Sequence, residues 1–153
     1  MSNEGGAKVY LITGFLGVGK TTSIAELGRL KPADERWAIL VNEVGLSGID
    51  GVVLRDNPAL RDTSVATLPG GCICCTTQLP FQAAVTQIIK MIQPHRLFIE
   101  PTGMAETSML LEALSSFELA DAIDLQETVV LVDPRRACIE AMWTHPVFAD
   151  QVM

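Results

Sequence analysis

The stretch Gly14-Phe15-Leu16-Gly17-Val18-Gly19-Lys20-Thr21 decides the fold, because it joins an apolar run to a segment of helix-forming composition. Residues 8–13 (KVYLIT) predict a short buried strand before it, and residues 21–30 predict a helix that ends before Pro32. Closely spaced glycines let a backbone turn its N–H groups inward around an anion. The sequence therefore predicts a phosphate-binding loop between a strand and a helix.

The side chains of this loop also suit a nucleoside triphosphate. Lys20 adds a point charge for the β- and γ-phosphate oxygens, and Thr21 offers a hydroxyl to Mg²⁺. A dinucleotide-binding turn is set aside, because reading it from Gly17 puts Thr22 where the third glycine belongs. The residues expected to contact the nucleotide here are Gly14, Gly17, Val18, Gly19, Lys20, Thr21 and Thr22.

Apolar runs alternate with helical segments along the rest of the chain. Continuous runs predict buried strands, and apolar residues at helical spacing predict helices. The predicted strands are residues 37–42, 65–68, 96–100 and 128–133, and the predicted helices are residues 78–92 and 105–117. This alternation predicts an α/β fold, a three-layer P-loop NTPase sandwich with a mostly parallel sheet flanked by helices, whose ligand site lies at the carboxyl ends of the strands.

The remaining segments predict two loops and a terminal helix. Residues 43–51 contain glycines and show little periodicity, so we expect a mobile loop after the second strand. Residues 55–63 are the expected exposed loop, and the apolar residues from Val147 to Val152 predict a helix. We expect residues 1–153 to form one domain.

Composition narrows the class of protein and its partners. Hydrophobic residues make up 48% and charged residues 19% of the chain, which suits a sheet buried on both faces. A net charge of −7 argues against a nucleic-acid partner. No apolar run reaches a membrane-spanning length and no signal peptide is recognisable near Met1, so we expect a cytoplasmic protein that binds no membrane.

Acidic residues at the ends of the predicted strands are candidates for Mg²⁺ binding and catalysis. Glu100 ends a buried strand, where an acid can contact the metal or its water; alternatively it caps the following turn. Glu43 and Asp50 lie where a segment could order around γ-phosphate and Mg²⁺, or they are solvated acids. Asp133 reaches the same edge, but an N-cap before Pro134 explains it equally well. The catalytic candidates are Lys20, Glu100 and Asp50.

Three of the four cysteines form the cluster Cys72-Ile73-Cys74-Cys75 in a predicted strand-to-helix turn. Three thiolates can coordinate one Zn²⁺ or Co²⁺ ion and leave one tetrahedral position open for transfer. Two alternatives stay open: buried small side chains, and a redox pair, although a ring closed between Cys74 and Cys75 would be strained. The metal interpretation predicts pH-dependent binding, because each thiol must first lose its proton.

Three further residues with metal-binding side chains are not assigned to the site. Cys138 lies in an apparent helix and is expected in the core. His95 and His145 stand beside prolines and are expected in surface loops.

In combination, these segments resemble the CobW-like metallochaperone GTPases, relatives of the hydrogenase- and urease-maturation GTPases. The resemblance extends over about residues 8–133 in the family's order. Its most specific element is the C-x-C-C motif between the loop after the second strand and the Glu-x-x-Gly that starts at Glu100. The matching segments are residues 14–22, 41–45, 48–50, 71–75 and 99–103.

The resemblance implies a protein that binds and hydrolyses GTP with Mg²⁺ held by Thr21 and Glu100, the latter in a Walker B element. Zn²⁺ or Co²⁺ would bind at Cys72, Cys74 and Cys75 and be delivered to a client metalloprotein or a cofactor-synthesis enzyme. Hydrolysis would change metal affinity by moving segments that both sites share. The implied partners are a guanine nucleotide and the client, and a homodimer is left open.

Two features depart from the family's pattern. Leu46 stands where members often carry a second glutamate, which removes a carboxylate from metal capture. The Asn-Lys-x-Asp element that reads guanine and the carboxyl-terminal domain would lie beyond Met153. We therefore expect residues 1–153 to be a P-loop GTPase domain truncated before both.

Two rival functions also fit the phosphate loop. A P-loop kinase of small metabolites would use Lys20 and Glu100 but leaves the three cysteines without a task. The second rival is a scaffold protein that binds nucleotide without hydrolysing it, because no attacking-water residue or arginine finger is evident.

Overall fold

The computed structural model describes residues 6–43, 49–69 and 78–152, and of residues 43, 49, 50, 69, 78 and 141 the backbone alone. The described residues form a six-stranded sheet whose strands pair in parallel. The strands are β1 (Ala7–Gly14), β2 (Trp37–Glu43), β3 (Thr63–Pro69), β4 (Arg96–Glu100), β5 (Ile123–Leu125) and β6 (Val129–Leu131). Their order is β3-β2-β4-β1-β5, and β6 also pairs with β1.

Strands β5 and β6 both pair with the edge of β1 that does not pair with β4. Ala7 lies beside Ile123 near the start of β1, whereas Gly14 lies beside Leu131 at its end. Strand β4 pairs with the other side of β1 over residues that include Leu11. The carboxyl ends of β1, β4 and β6 therefore meet at one edge of the sheet, where a ligand site is expected in this class of fold.

Helices connect the strands and cover the sheet. They are α1 (Lys20–Leu27), α2 (Ile49–Arg55), α3 (Gln78–Ile92), α4 (Thr107–Leu114), α5 (Pro134–Ala137), α6 (Glu140–Trp143) and α7 (Pro146–Val152). Two short 3₁₀ helices, Gly28–Leu30 and Pro58–Leu60, continue the connections. Helix α3 ends where Gln93 adopts a positive φ of 47° ahead of Pro94, a residue pair that stops a helix.

Alternate side chains of the central strands enter two separate cores, one on each face of the sheet. The core that faces α3 and α4 contains Val9, Leu11, Ala38, Leu40, Leu97, Ile99, Phe81, Val85, Leu110 and Leu114. The core that faces α1 and α2 contains Ile12, Ile39, Val41, Phe98, Ile24, Ala25 and Leu54. A sheet buried on both faces explains the continuous apolar runs, and it confirms the predicted three-layer sandwich.

Both predicted loops are partly helical, so these two predictions are wrong in part. Ile49–Arg55 is α2, and Leu54 is fully buried against the core beneath α1, which stabilises a helix that periodicity did not indicate. Within residues 55–63, Pro58–Leu60 forms a 3₁₀ helix capped by Asn57, whose side chain accepts from the N–H of Ala59 at 2.9 Å. Leu60 is buried against Gly28, so that segment is not simply exposed.

Other differences concern short elements and the ends of long ones. Strand β5 was not predicted, because just one of its three residues is buried and the strand is defined by its pairing with β1. Strand β6 and helix α4 are shorter than the predicted residues 128–133 and 105–117. The terminal helix α7 is confirmed, and no helix within the described ranges is long and apolar enough to cross a membrane.

An ion pair joins the amino ends of the strands, away from the ligand edge. Arg96 binds the carboxylate of Glu35 through two hydrogen bonds of 2.7 and 3.0 Å, and the indole N–H of Trp37 donates to it at 2.5 Å. These donors, Arg96 above all, lower the pKa of Glu35 from 4.5 to about 2. The same guanidinium lies 5.9 Å from the ring centroid of Tyr10.

Candidate functional site

The glycine-rich loop leaves β1 at Gly14 and enters α1 at Lys20. Gly14, Gly17 and Gly19 have φ values of 142°, 78° and 93°, a region that side chains with a Cβ avoid. Gly19 is the N-cap of α1, and no side chain within the described part of the chain caps the helix there. The first N–H groups and the positive end of the helix dipole are therefore directed at the loop, as an anion site requires.

Lys20 places its charge beside this loop. The side chain is buried at the start of α1, and its ammonium group donates to the backbone carbonyl of Gly14 at 2.9 Å. The bond holds the lysine across the loop from its own helix to the end of β1. A cation in this position favours the binding of phosphate oxygens.

Thr21 and Glu100 meet at the carboxyl edge of the sheet. The hydroxyl of Thr21 donates to Oε1 of Glu100 at 2.7 Å, although the two residues lie 79 positions apart. Glu100 ends β4, the neighbour of β1, and its side chain is 4% exposed. A hydroxyl and a carboxylate are oxygen ligands of the kind that Mg²⁺ prefers, so the pair fits the predicted metal.

A cleft of about 370 Å³ opens between the loop and the end of β4. Its size falls within the range of small-ligand sites. The residues that line it are Leu16, Gly17, Gly19, Lys20, Thr21, Thr22, Asn42, Glu100, Pro101, Thr102 and Gly103. Of the predicted loop residues, Gly14 enters the site through the carbonyl that holds Lys20, and Val18 donates its N–H to the carbonyl of Phe15 at 3.3 Å.

The turn after β4 packs directly against the phosphate loop. A Cβ built on Gly103 would lie 2.6 Å from both the nitrogen and the Cα of Leu16, closer than two such atoms can approach. The absence of a side chain at Gly103 therefore permits the contact between the two segments. The Glu-x-x-Gly pattern in the sequence includes Gly103, but it did not predict that Gly103 would contact Leu16.

Helix α7 also contacts the turn after β4. The buried amide of Gln151 donates to the carbonyls of Gly103 at 3.3 Å and Ala105 at 3.0 Å. The ring of Phe148, also in α7, lies edge-on to Phe15 of the phosphate loop at 6.1 Å between centroids. One helix thus contacts both sides of the cleft, and sequence patterns did not indicate this.

Asn42 is a cleft residue that the sequence prediction did not assign to the site. It is 4% exposed near the end of β2, and its amide donates to the carbonyl of Leu68 in β3 at 3.3 Å. Its Oδ1, like the hydroxyl of Thr102, is buried and has no hydrogen-bond partner among the described residues. A buried polar atom without a partner at a cleft is a group that a ligand or water can satisfy.

The other predicted ligands are described in part or not at all. Glu43 is the last residue of β2 and Asp50 the second residue of α2, but their side chains lie outside the described part. Cys72, Cys74 and Cys75 also lie outside the described residues.

Asp133 is an N-cap, as one of its two predicted roles required. Its carboxylate accepts from the backbone N–H of Arg135 at 3.0 Å at the start of α5. The side chain of Arg135 adds hydrogen bonds to both carboxylate oxygens, and they lower the pKa of Asp133.

The placement of Cys138 in the core is wrong, and the histidines are only partly as predicted. Cys138 follows α5 and is exposed, because the predicted helix is broken between α5 and α6. His95 is half-buried and accepts from the N–H of Arg36 at 2.9 Å. His145 lies in the loop between α6 and α7, as predicted, but it is half-buried and packs edge-on against Phe15 at 5.2 Å between centroids.

The match to known proteins covers nearly all of the chain. A family model described as "CobW/HypB/UreG, nucleotide-binding domain" matches residues 8–152. "Zinc chaperone YeiR" of Escherichia coli (strain K12) is 43% identical over 145 residues, which is 95% of this chain and 43% of that protein. "Zinc chaperone CobW" of a Sinorhizobium species is 34% identical over 136 residues, which is 86% of this chain and 38% of that protein.

A eukaryotic protein is also similar. "Zinc-regulated GTPase metalloprotein activator 1" of Schizosaccharomyces pombe is 34% identical over 119 residues, covering 75% of this chain and 28% of that protein. The chain spans about two fifths of the length of the two bacterial relatives. On the extent of the family match and the strand–glycine loop–helix geometry, the chain belongs to the CobW/HypB/UreG nucleotide-binding domain family.

Proposed function

We propose that the chain binds and hydrolyses GTP, and that it is the nucleotide-binding part of a metallochaperone that carries Zn²⁺ or Co²⁺. The observation that carries the nucleotide half is the meeting of Lys20, Thr21 and Glu100 around one cleft. The names of the relatives, zinc chaperones and a zinc-regulated GTPase, support the metal half.

In the nucleotide half, the loop amides and the N-terminus of α1 bind the phosphates, and Lys20 neutralises their charge. Thr21 and Glu100 would hold Mg²⁺, which would supply further positive charge at the phosphate oxygens. The hydrogen bond of 2.7 Å from Thr21 to Glu100 would orient the hydroxyl so that its lone pairs remain available to a cation. Glu43 and Asp50 are proposed to approach the γ-phosphate and its Mg²⁺ from the end of β2 and the start of α2.

In the metal half, Cys72, Cys74 and Cys75 bind the transferable ion as thiolates. Pro69, the last residue of β3, lies beside Glu43 at the carboxyl edge of the sheet, and Cys72 follows it by three positions in sequence. This arrangement supports coupling, because a γ-phosphate that orders the end of β2 acts on the strand that leads into the cysteines. The ion then passes to a client metalloprotein or a cofactor-synthesis enzyme.

A metal titration tests the cysteine site and its coupling to nucleotide. We expect reduced protein to bind Co²⁺ with thiolate charge-transfer absorption, and the curve to differ between GTP with Mg²⁺ and the nucleotide-free state. The triple variant Cys72→Ser, Cys74→Ser, Cys75→Ser should lose this absorption. Cys138→Ser is the matched control, because that thiol is exposed and lies outside the motif. Unchanged Co²⁺ spectra in the triple variant would disprove the site.

Phosphate release tests the enzymatic half. GTP should be hydrolysed slowly, and Lys20→Ala should abolish nucleotide binding without unfolding the protein. Absence of turnover with and without Zn²⁺ would point to a nucleotide-binding scaffold. Transfer of phosphate to a small metabolite, undiminished in the triple cysteine variant, would point to a kinase.

A further inference from the structure

Arg136 of α5 contacts the phosphate loop. Its guanidinium donates a hydrogen bond to the backbone carbonyl of Leu16, a residue 120 positions earlier. A Cβ built on Gly17 would lie 3.4 Å from one of its nitrogens, so the head group lies beside that glycine as well. Both Leu16 and Gly17 line the cleft. A side chain from outside the motif therefore touches the loop on which phosphate binding depends.

Arg136 and its neighbour Arg135 have different partners. Arg135 forms hydrogen bonds of 3.0 Å to both carboxylate oxygens of Asp133. Arg136 comes no closer than 4.0 Å to that carboxylate with its Nε. Asp133 caps α5 and binds Arg135, while Arg136 directs a donor at Leu16. The two arginines provide a matched pair for experiment.

Holding the carbonyl of Leu16 also orients the N–H of Gly17. The described residues contain no cis peptide bond, and in a trans peptide the C=O and N–H groups point in opposite directions. With the Leu16 carbonyl directed at Arg136, the N–H of Gly17 points away from Arg136. A glycine at φ 78° does little to restrain the rotation of this peptide by itself.

We propose that Arg136 is a positioning residue that holds the Leu16–Gly17 peptide so that the Gly17 N–H faces a bound phosphate. The proposal rests on the nucleotide function proposed above. A preoriented donor costs no rearrangement when the anion arrives, which is how fixed amides strengthen charge binding. The guanidinium also places positive charge beside the loop of a chain whose net charge is −7.

Nucleotide affinity tests the proposal in three variants of the purified protein. We expect Arg136→Ala to weaken binding of GDP and of GTP with Mg²⁺ by a similar factor, about tenfold. Arg136→Lys should restore most of the affinity, because it keeps a charged donor at this position. Arg135→Ala should stay within about twofold of the wild type. A loss confined to GTP would mean direct contact with the γ-phosphate, and equal losses in both alanine variants would mean damage to α5; either result would overturn the proposal.

The amide resonance of Gly17 provides a readout without nucleotide. In a ¹⁵N spectrum of the nucleotide-free protein, Arg136→Ala should shift this resonance, whereas Arg135→Ala should leave it in place. An unchanged Gly17 amide in Arg136→Ala would refute the inference even if nucleotide binds. If the wild type bound neither nucleotide, the proposed function would be wrong, and the Gly17 amide would still decide whether Arg136 orients this peptide.

Discussion

The carboxylate of Asp150 in α7 accepts a hydrogen bond from the backbone N–H of Thr107 at 2.5 Å, so the first turn of α4 is capped by a residue 43 positions later. Asp150→Ala should lower the free energy of unfolding by about 1 kcal/mol, because the buried N–H loses its acceptor. Urea denaturation measures the change. Asp121→Ala, in the exposed turn after α4, should cost less than about 0.5 kcal/mol. Equal losses in the two variants would contradict the cap.

Gly103→Ala tests the contact between the turn after β4 and the phosphate loop. The new methyl group would meet the backbone of Leu16, so one segment must shift, at a cost of about 1–3 kcal/mol in stability. We expect a lower Tm and weaker nucleotide binding. Glu106→Ala changes an exposed side chain of the same connection and should leave both unchanged. Wild-type Tm in Gly103→Ala would show that the two segments have room to separate.

Glu100→Gln tests the proposed Mg²⁺ site. The amide can still accept from the hydroxyl of Thr21 but no longer offers a charged ligand. Nucleotide affinity in Mg²⁺ should fall by roughly tenfold or more, while affinity measured in chelator should not change. The exposed Glu106→Gln is the isosteric control. Equal losses with and without Mg²⁺ would indicate that Glu100 shapes the cleft instead of holding the metal.

Glu35→Gln tests the ion pair at the other edge of the sheet. Because the pKa of Glu35 falls from 4.5 to about 2 on folding, the pair contributes stability above pH 4.5 and loses it as the pH falls toward 2. The variant should therefore be less stable than the wild type at neutral pH, and the difference should shrink through this window. Urea unfolding at several pH values measures it, with the exposed Asp34→Asn as control. A difference that does not vary with pH would contradict the assignment.

The elements that were predicted correctly are those whose buried residues form a continuous or periodic run of apolar residues in the sequence. The bounds of α3 and β4 were predicted to the residue, since β4 is buried on both faces and α3 ends where Gln93 and Pro94 cannot continue a helix. The placement of Thr21 near Glu100 followed from the same logic, because parallel strands bring their carboxyl ends to one edge.

The parts that were missed depend on contacts between distant segments. Strand β5 exists through its pairing with β1, and α2 through the burial of Leu54. Gln151 and Arg136 contact residues that line the cleft, but neither belongs to a recognisable motif, so neither composition nor spacing could assign them to the site. Asn42 lies within residues 41–45, which match the family, but the burial that marks it as a cleft residue appears only once β2 and β3 are paired.

The contacts of α7 also bear on the order in which the protein is made. Phe15 leaves the ribosome more than a hundred residues before Phe148 and Gln151, which pack on the loop and on the turn after β4. At ordinary translation speeds the loop waits on the order of ten seconds for this support. A nascent chain therefore completes its sheet before it completes its cleft, and cannot hold nucleotide in the finished geometry until α7 has emerged and docked.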